Sequence, residues 1–565
     1  PTRRSSDLRG SVGSSFAATM AGITEVNPLE PHYICPKCHN LKFTDQLDKY
    51  DTGFDMPDRV CEKCGADMEK NGLNIPFATF LGFNGDKEPD IDLNFAGEYQ
   101  PIAHKFVGEI FGEENIFKAG TVATIAEKTA FGYVKKYEEN TGKRFSNSEE
   151  LVLANGCTGT KRTTGQHPGG IIVVPADREI FEFCPVQKPA NNRDAEFITT
   201  HFDYHKIDKN LLKLDILGHD VPQMIRHLQD MTGVDPLGID IADKKTLSIF
   251  TSIDALNIVN PEEYEFKHGT YGIPEFGTNF TRGMLDAIKP KTISALIKIS
   301  GFSHGTDVWT NNAEDLIKNG VATIDELISC RDDIMNYLMI KGVDKGNAFK
   351  IMEAVRKNKE LKQEELAIMK EHGVPDWYVE SCRTLKYLFP RAHAAAYVMM
   401  ALRMAWFKVY YPSAFYCAWL STKIDNFDVN VARGGVEAAK AALNALNSED
   451  DDTSAAKKKE LKVVYEVIYE LLSRGCEFSL PELGVSDPCM FNVVDDKIKI
   501  PFMAVSGVGR SAAISLAEAY KDGPFLSTDE VQRKTKLSST NIEDLKACGV
   551  FNELPDSAQV SIFDM

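Results

Sequence analysis

Two Cys-x-x-Cys pairs constrain this chain more than any other feature. Cys35-Pro-Lys-Cys38 and Cys61-Glu-Lys-Cys64 stand 22 residues apart, and Gly65 follows the second pair. Each pair has the composition of a tight knuckle. Four thiolates at this spacing suit one tetrahedral Zn²⁺. Closing such a site ties residue 35 to residue 64 and sets 31–70 apart as a small module. His32 and His39 lie nearby, but four thiolates already complete a closed structural site, which does no chemistry. The alternative is two reduced pairs or a disulfide. The twelve cysteines are otherwise scattered, which favours a reducing cytosol over a disulfide framework.

Two stretches alternate with the period of a half-buried strand. In Pro89-Asp-Ile-Asp-Leu-Asn-Phe95, Asp90 and Asp92 point to one face. In Leu211-Leu-Lys-Leu-Asp-Ile-Leu217, Lys213 and Asp215 share the face opposite Leu212, Leu214 and Ile216. Three carboxylates brought to one spot repel each other unless cations sit between their oxygens. Hard oxygen ligands suit Mg²⁺, which binds substrate phosphates. Two such ions clamp the attacking and leaving oxygens of a phosphoryl displacement. Read alone, D-x-D is a common spacing and Asp215 an ordinary strand-end acid.

At 565 residues, with 43% hydrophobic and 26% charged content, the chain has room for several domains of soluble globular character. No run of about 18 apolar residues suggests a membrane span; the longest, Ala394–Trp406, is short and contains Arg403. No secretory signal is visible, so a cytoplasmic location is expected. The net charge of −18 argues against long-range steering towards nucleic acid. A basic cleft beneath an acidic exterior would still bind it, and recruitment by a partner would compensate.

Several further stretches carry chemistry. Arg9-Gly-Ser-Val-Gly-Ser-Ser-Phe16 is either a loop presenting N–H groups to phosphate, with Arg9 and Ser11 in contact, or a linker. From Tyr99 to Glu139 the spacing of Ile102, Phe106 and Ile110, and of Val122, Ile125, Ala126, Ala130 and Val134, predicts helices. Gly159-Thr-Lys-Arg-Thr-Thr-Gly-Gln-His-Pro-Gly-Gly170 reads as a loop before the apolar strand Ile171–Val174. With Lys161 and Arg162 it is either a triphosphate cradle or a surface loop. It is not a Walker loop. His167 is either a donor to phosphate or a structural histidine. Residues 221–475 read as predominantly helical. Ser506-Gly-Val-Gly-Arg-Ser511 opens a helix as a helix-hairpin-helix does, offering Gly507, Gly509 and Arg510 to a DNA phosphate. Lys536 and Lys546 flank a second, weaker hairpin.

Pro89–Phe95 and Lys213-Leu-Asp-Ile-Leu-Gly-His-Asp220 resemble the palm motifs of bacterial replicative DNA polymerase III alpha subunits, PolC type. The resemblance runs from about Arg9 to the C-terminus. It implies template-directed DNA synthesis, with deoxynucleotides transferred to a primer 3′-OH by two Mg²⁺. Asp90 and Asp92 would bridge the metals, and Asp215 would hold the one nearer the 3′-OH. The implied fold is α/β: a mixed-sheet nucleotidyltransferase palm with a zinc module, helical thumb and fingers, and a C-terminal helix-hairpin-helix domain. The palm would begin at 9–30, the zinc module occupy 31–70, and the metal-binding palm strand lie in 71–96. The thumb would be 97–155, more palm 156–220, the fingers 221–475 and the helix-hairpin-helix region 476–552. Arg282, Lys386 and Arg391 resemble finger cations for the nucleotide triphosphate, and His304 and His393 line the same pocket. The implied partners are primer–template DNA, deoxynucleoside triphosphates, the sliding clamp and other replisome subunits. The clamp would be reached by the tail 553–565, where Gln559, Ile562 and Phe563 resemble the family's clamp-docking peptide. Residues 1–8 do not resemble the family and read as a cloning remnant. The family's upstream phosphatase-like and exonuclease segments are absent, as in a C-terminal fragment. Two other classes predict different behaviour: a two-metal nuclease degrades DNA without nucleotides, and a zinc-bearing DNA-binding scaffold binds without turnover.

Overall fold

The computed structural model describes residues 6–9, 11–47, 49–83, 85, 92–188, 197–207, 211–446 and 454–557. The chain forms two compact units, Pro1–Arg9 with Asp90–His219, and Gly10–Pro89 with Asp220–Met565.

Among the described residues the first unit is built on a seven-stranded mixed sheet. Its strands are β1 (Ser6–Arg9), β2 (Asp92–Ala96), β3 (Ile116–Thr124), β4 (Lys161–Val173), β5 (Val186–Gln187), β6 (Thr199–Thr200) and β7 (Leu212–His219). They lie in the order β1-β2-β7-β4-β3-β6-β5. β2 and β7 run parallel, whereas β4 is antiparallel to both β7 and β3. Helix α1 (Gln100–Phe111) covers one face, where Ala103 and Val107 pack with Ile116, Ile171, Val173, Leu214 and Ile216. The other face buries Phe117, Ala119, Ile172 and Val174. The alternation of these side chains sets the register, because a one-residue slip would turn the apolar set outward.

Two expectations fail in this unit. Residues 116–124 are a strand, not a helix. Helix α2 (Glu127–Thr141) begins only beyond it and pairs with α3 (Asn147–Cys157) through Ala130, Val134 and Ala154. Gly120 explains the strand: its N–H donates to Thr200 Oγ1 at 2.8 Å, and a Cβ there would meet Thr200 O at 2.1 Å. The expected Gly-rich loop is likewise mostly strand, since β4 runs unbroken from Lys161. Its glycines serve close strand packing: a Cβ on Gly169 would meet Leu217 Cδ2 at 2.3 Å and Ile216 O at 2.7 Å.

The second unit is predominantly helical, as its sequence suggests. Helix α4 (Ile293–His304) is capped by Thr292 and buried over most of its length. Helix α5 (Arg391–Tyr410) buries sixteen of its twenty residues, so it has no solvent stripe and runs through the core. Its alanines, 392 and 394–396, allow neighbouring backbones close. Three short strands, 32–34, 41–43 and 69–71, form a separate small sheet around the cysteines. No helix among the described residues is long and apolar enough to cross a membrane.

Candidate active site and metal centre

In the first unit, strand register brings two of the predicted carboxylates together. Asp92 of β2 is the direct neighbour of Asp215 on parallel β7. Asp90 and the residues around it lie outside the described residues. Lys213, two positions along the same face, places Nζ 2.9 Å from Asp215 Oδ2 and 3.9 Å from the centre of the Tyr204 ring. Asp215 Oδ1 is buried and has no hydrogen-bond partner among the described residues. His167 Nδ1 stands 3.5 Å from it but accepts the Gly170 N–H at 2.7 Å. That nitrogen therefore carries a lone pair, and it cannot donate to the carboxylate. Burial, reinforced by the Lys213 charge, holds His167 below the usual imidazole range. An orphaned carboxylate oxygen facing a second acceptor is costly unless a cation or water answers it. The donor set fits a hard divalent ion.

The opposite face of β7 carries a support that its sequence did not signal. Lys118 of β3 is buried beside His104 of α1, with Nζ 2.9 Å from Nδ1. His104 Nε2 in turn donates to Ile216 O at 3.1 Å, one residue from Asp215. No carboxylate partner for Lys118 occurs among the described residues, and burial pulls it down to about 8.

Lys161 and Arg162 are exposed at the far end of the paired strands β3 and β4. Asp215 pairs with Gly170, nine residues along β4 from Lys161 (170 − 161). At about 3.3 Å per residue that is roughly 30 Å of strand. One triphosphate does not span it, so this pair is not gathered with Asp215, whereas His167 is. Arg9 lies beside Asp92 in register on β1, and Ser11 opens the short helical turn that follows.

The four predicted cysteines converge. Their sulfurs all lie within 4.8 Å of one another, with Cys35–Cys64 at 3.4 Å and Cys38–Cys61 at 3.6 Å. Tetrahedral Zn–S bonds of about 2.3 Å put sulfurs roughly 3.8 Å apart, so the cluster fits the ion. Both knuckles close alike: His39 N–H donates to Cys35 O and Gly65 N–H to Cys61 O, each at 2.9 Å. His39 and Gly65 take positive φ, 57° and 71°. The backbone N–H of Lys63, outweighing burial, pulls Cys61 down to about 6. Cys38 goes the other way, up to about 12: the Asn40 N–H lowers it, but burial and three crowding sulfurs outweigh that. Four thiolates coexist there only with a cation among them.

Comparison with known proteins shows the family to which these residues belong. A family model described as bacterial DNA polymerase III alpha NTPase domain matches residues 5–152 and 135–218. The bacterial DNA polymerase III alpha subunit finger domain matches 221–374, and a helix-hairpin-helix motif matches 475–560. The chain is 52% identical over 555 residues to a PolC-type DNA polymerase III of Caldanaerobacter subterraneus, covering 98% of this chain and 39% of the relative. It is 51% identical over 556 residues to that of Clostridium perfringens and 49% identical over 555 residues to that of Thermotoga petrophila. Each alignment covers 98% of this chain, and 38% and 40% of those relatives. The chain belongs to the PolC-type DNA polymerase III family. It spans about two fifths of the length of the curated relatives it matches.

In this member of the family, the finger residues singled out in the sequence separate into two groups. Arg391 is 1% exposed and is no surface cation. Its guanidinium pairs with Asp51 at 2.6 Å and Asp333 at 3.3 Å, and its Nε donates to Leu73 O. Burial raises Asp333, but Lys298 and Arg391 outweigh it and hold it down at about 2. Arg282 is also buried; it donates to Glu466 and Gly277 O and lies over the Tyr271 ring. Both guanidiniums are committed internally, which corrects the expectation that they face a triphosphate. Lys386 is 63% exposed and pairs with Asp307 at 2.7 Å. His304 and His393 do come together, in a ring cluster with Phe389 and Tyr397. Glu275 meets His304 Nε2 at 2.9 Å. Glu275 and Asp307 both sit at positive φ, 68° and 56°, a strained conformation for acidic side chains.

The family's helix-hairpin-helix motif is folded as its sequence suggests. Gly507 takes φ 77° and Gly509 caps helix α6 (Arg510–Lys521) with no side-chain cap of its own. Asn541 donates to Gly507 O at 2.8 Å, binding the second hairpin to the first turn. Lys536 Nζ reaches Ser511 Oγ at 3.2 Å, and Lys546 pairs with Asp556 at 2.8 Å. Gln559, Ile562 and Phe563 lie outside the described residues.

Proposed function

We propose that this chain carries the polymerase centre of its family and transfers deoxynucleotides, directed by a template, to a primer 3′-OH. The observation that carries the reading is the in-register pair Asp92–Asp215, with one Asp215 oxygen buried and without a hydrogen-bond partner among the described residues. Asp90, Asp92 and Asp215 would hold two Mg²⁺. Bound there, the ions supply positive charge that acidifies the attacking hydroxyl and neutralises the departing pyrophosphate. The chain's own part is preorganisation. Lys213 fixes Asp215 through Oδ2 and leaves Oδ1 towards the site. His167, neutral, fixes the Gly169–Gly170 backbone under that carboxylate. The ring cluster of His304, Phe389, His393 and Tyr397 offers flat surface to a base, and Lys386 offers charge to its phosphates. In this reading the mixed sheet is the palm, α2 and α3 belong to the thumb, and the helices within 221–475 form the fingers.

The other candidate sites extend the same reading. The four cysteines would hold one structural Zn²⁺. Gly507, Gly509 and Arg510 would meet a duplex phosphate at the start of α6. The peptide around Gln559, Ile562 and Phe563 would dock on a sliding clamp, compensating for an acidic surface that steers poorly. A primer-extension assay with Mg²⁺, with and without deoxynucleotides, tests the reading. Extension that requires nucleotides is expected, and Asp92→Asn and Asp215→Asn lower it by orders of magnitude while DNA binding persists. Degradation without nucleotides, or near-normal extension by both variants, would refute it.

A further inference from the structure

The loop between the two cysteine knuckles makes contacts that closed zinc coordination does not require. Asp51 Oδ2 accepts from two helices at once, from Ser294 Oγ near the start of α4 at 3.0 Å and from Arg391 at the start of α5 at 2.6 Å. The Asp51 carbonyl accepts Arg391 Nη2 again at 3.2 Å. Four residues on, Asp55 receives the first free amides of α4, Ile293 N–H at 2.8 Å and Ser294 N–H at 2.9 Å. These are the orphan donors of a helix N-terminus, and a carboxylate there also answers the helix dipole.

The loop is rigidly tied to the cysteine module. Gly53 N–H donates to Gly72 O at 2.8 Å, and a Cβ at Gly53 would meet Asn71 O at 1.8 Å. Met56 belongs to the small core of Tyr33, Cys35, Cys61 and Met68, and Tyr33 Oη donates to Pro57 O. The two helices it grips are those whose ends form the ring cluster. His304 closes α4, while His393 and Tyr397 stand in the first turns of α5. His304 stacks on Tyr397 at 5.9 Å and 14°, and Phe389 meets His393 at 4.3 Å. A twelve-residue helix is a rod of roughly 18 Å, so fixing its start fixes its end.

We propose that Asp51, supported by Asp55, is a positioning residue for nucleotide binding: the cysteine module clamps α4 and α5 together and so sets the geometry of the His304–His393–Tyr397 cluster. The inference rests on the polymerase reading for its nucleotide, but its mechanical part is measured without turnover. In the full chain, Asp51→Asn is expected to speed amide exchange about tenfold at 293–297 and 391–397, leaving 510–521 unchanged and cysteine-bound metal content intact. The KM for deoxynucleotide should rise about tenfold with kcat within twofold, and Asp51→Glu, which keeps the charge, should recover most of the difference. Asp55→Asn, which spares the Arg391 pair, should loosen 293–297 alone. Unchanged exchange in both variants, or equal losses in kcat and KM, would overturn the proposal. A wild-type chain that extends no primer would sink the polymerase reading instead, leaving the exchange data to decide this one.

Discussion

Lys118 offers the sharpest quantitative test of the first unit. Its ammonium is buried with an imidazole as partner, and burial lowers it from 10.5 to about 8. The folded form thus loses its proton about 2.5 units (10.5 − 8) before the unfolded form does. Below the folded value both states carry the proton, and above 10.5 neither does. Between them the unfolded state binds more protons, so stability rises with pH across that window. At 1.36 kcal/mol per unit the gain is about 3 kcal/mol. Lys118→Met removes the buried charge and also the hydrogen bond to His104, worth about 1 kcal/mol. The variant should therefore be more stable than wild type by about 2 kcal/mol at pH 7 and less stable by about 1 kcal/mol near pH 10.5. Native-state hydrogen exchange at the 116–119 amides reads this directly, since the variant-to-wild-type ratio at one pH cancels intrinsic rates. The ratio should show slower exchange in the variant by about thirtyfold at pH 7 and cross unity on the alkaline side. A ratio that does not change between pH 7 and 10 would mean that Lys118 does not titrate in this window, and the reasoning would fall.

Three further outcomes are expected. Cys64→Ser should abolish binding of about one zinc per chain and lower the thermal midpoint more than the rate of chemistry; metal analysis of chelator-free protein checks it, and wild-type protein without zinc would count against the centre. Gly53→Ala should destabilise the cysteine module by about 1–3 kcal/mol, because the new methyl meets the Asn71 carbonyl; calorimetry showing no change would mean that the loop yields. Phe563→Ala should leave single-nucleotide incorporation intact and shorten products made with a loaded clamp; equal product lengths would remove the docking role.

Features whose partners are near in sequence were legible. The cysteine cluster follows from its spacing, and β2 and β7 follow from strict alternation. The Gly-x-Gly turn before α6 needs only local backbone conformation. What could not be read depends on distant partners. Nothing near Arg391 shows that it will meet Asp51, 340 residues away, or Asp333, 58 away. Arg282 meets Glu466 across 184 residues. A cation on a loop or helix start looks free until its carboxylate arrives. The strand at 116–124 was masked because Val122 fits the helical spacing of the residues after it, while its cause, Gly120 against Thr200, lies 80 residues on. The glycines at 169 and 170 fit a phosphate loop equally well on composition, and only the neighbouring β7 distinguishes the two.

Helix α5 also has a consequence for the order in which the chain matures. Its cations are bolted to segments made at different times: Arg391 to the loop at 51, Arg403 to Glu25 and to Pro236 O, Lys408 to Gly269 O, Tyr271 O and Glu470. The second unit is discontinuous, with residues 90–219 of the first unit spliced into it. At 5–20 residues per second, a ribosome reaches residue 391 roughly 17–70 s after residue 51, a separation of 340 residues. During that interval the Asp51 carboxylate has no guanidinium, and the apolar surface of 10–89 lacks the helix it will pack on. Lys408 waits in turn for Glu470. The first unit, by contrast, needs only β1 from the earlier chain and closes once β7 has emerged. An N-terminal segment that must wait for its core is the part of this chain most exposed to chaperones and to misassembly during synthesis.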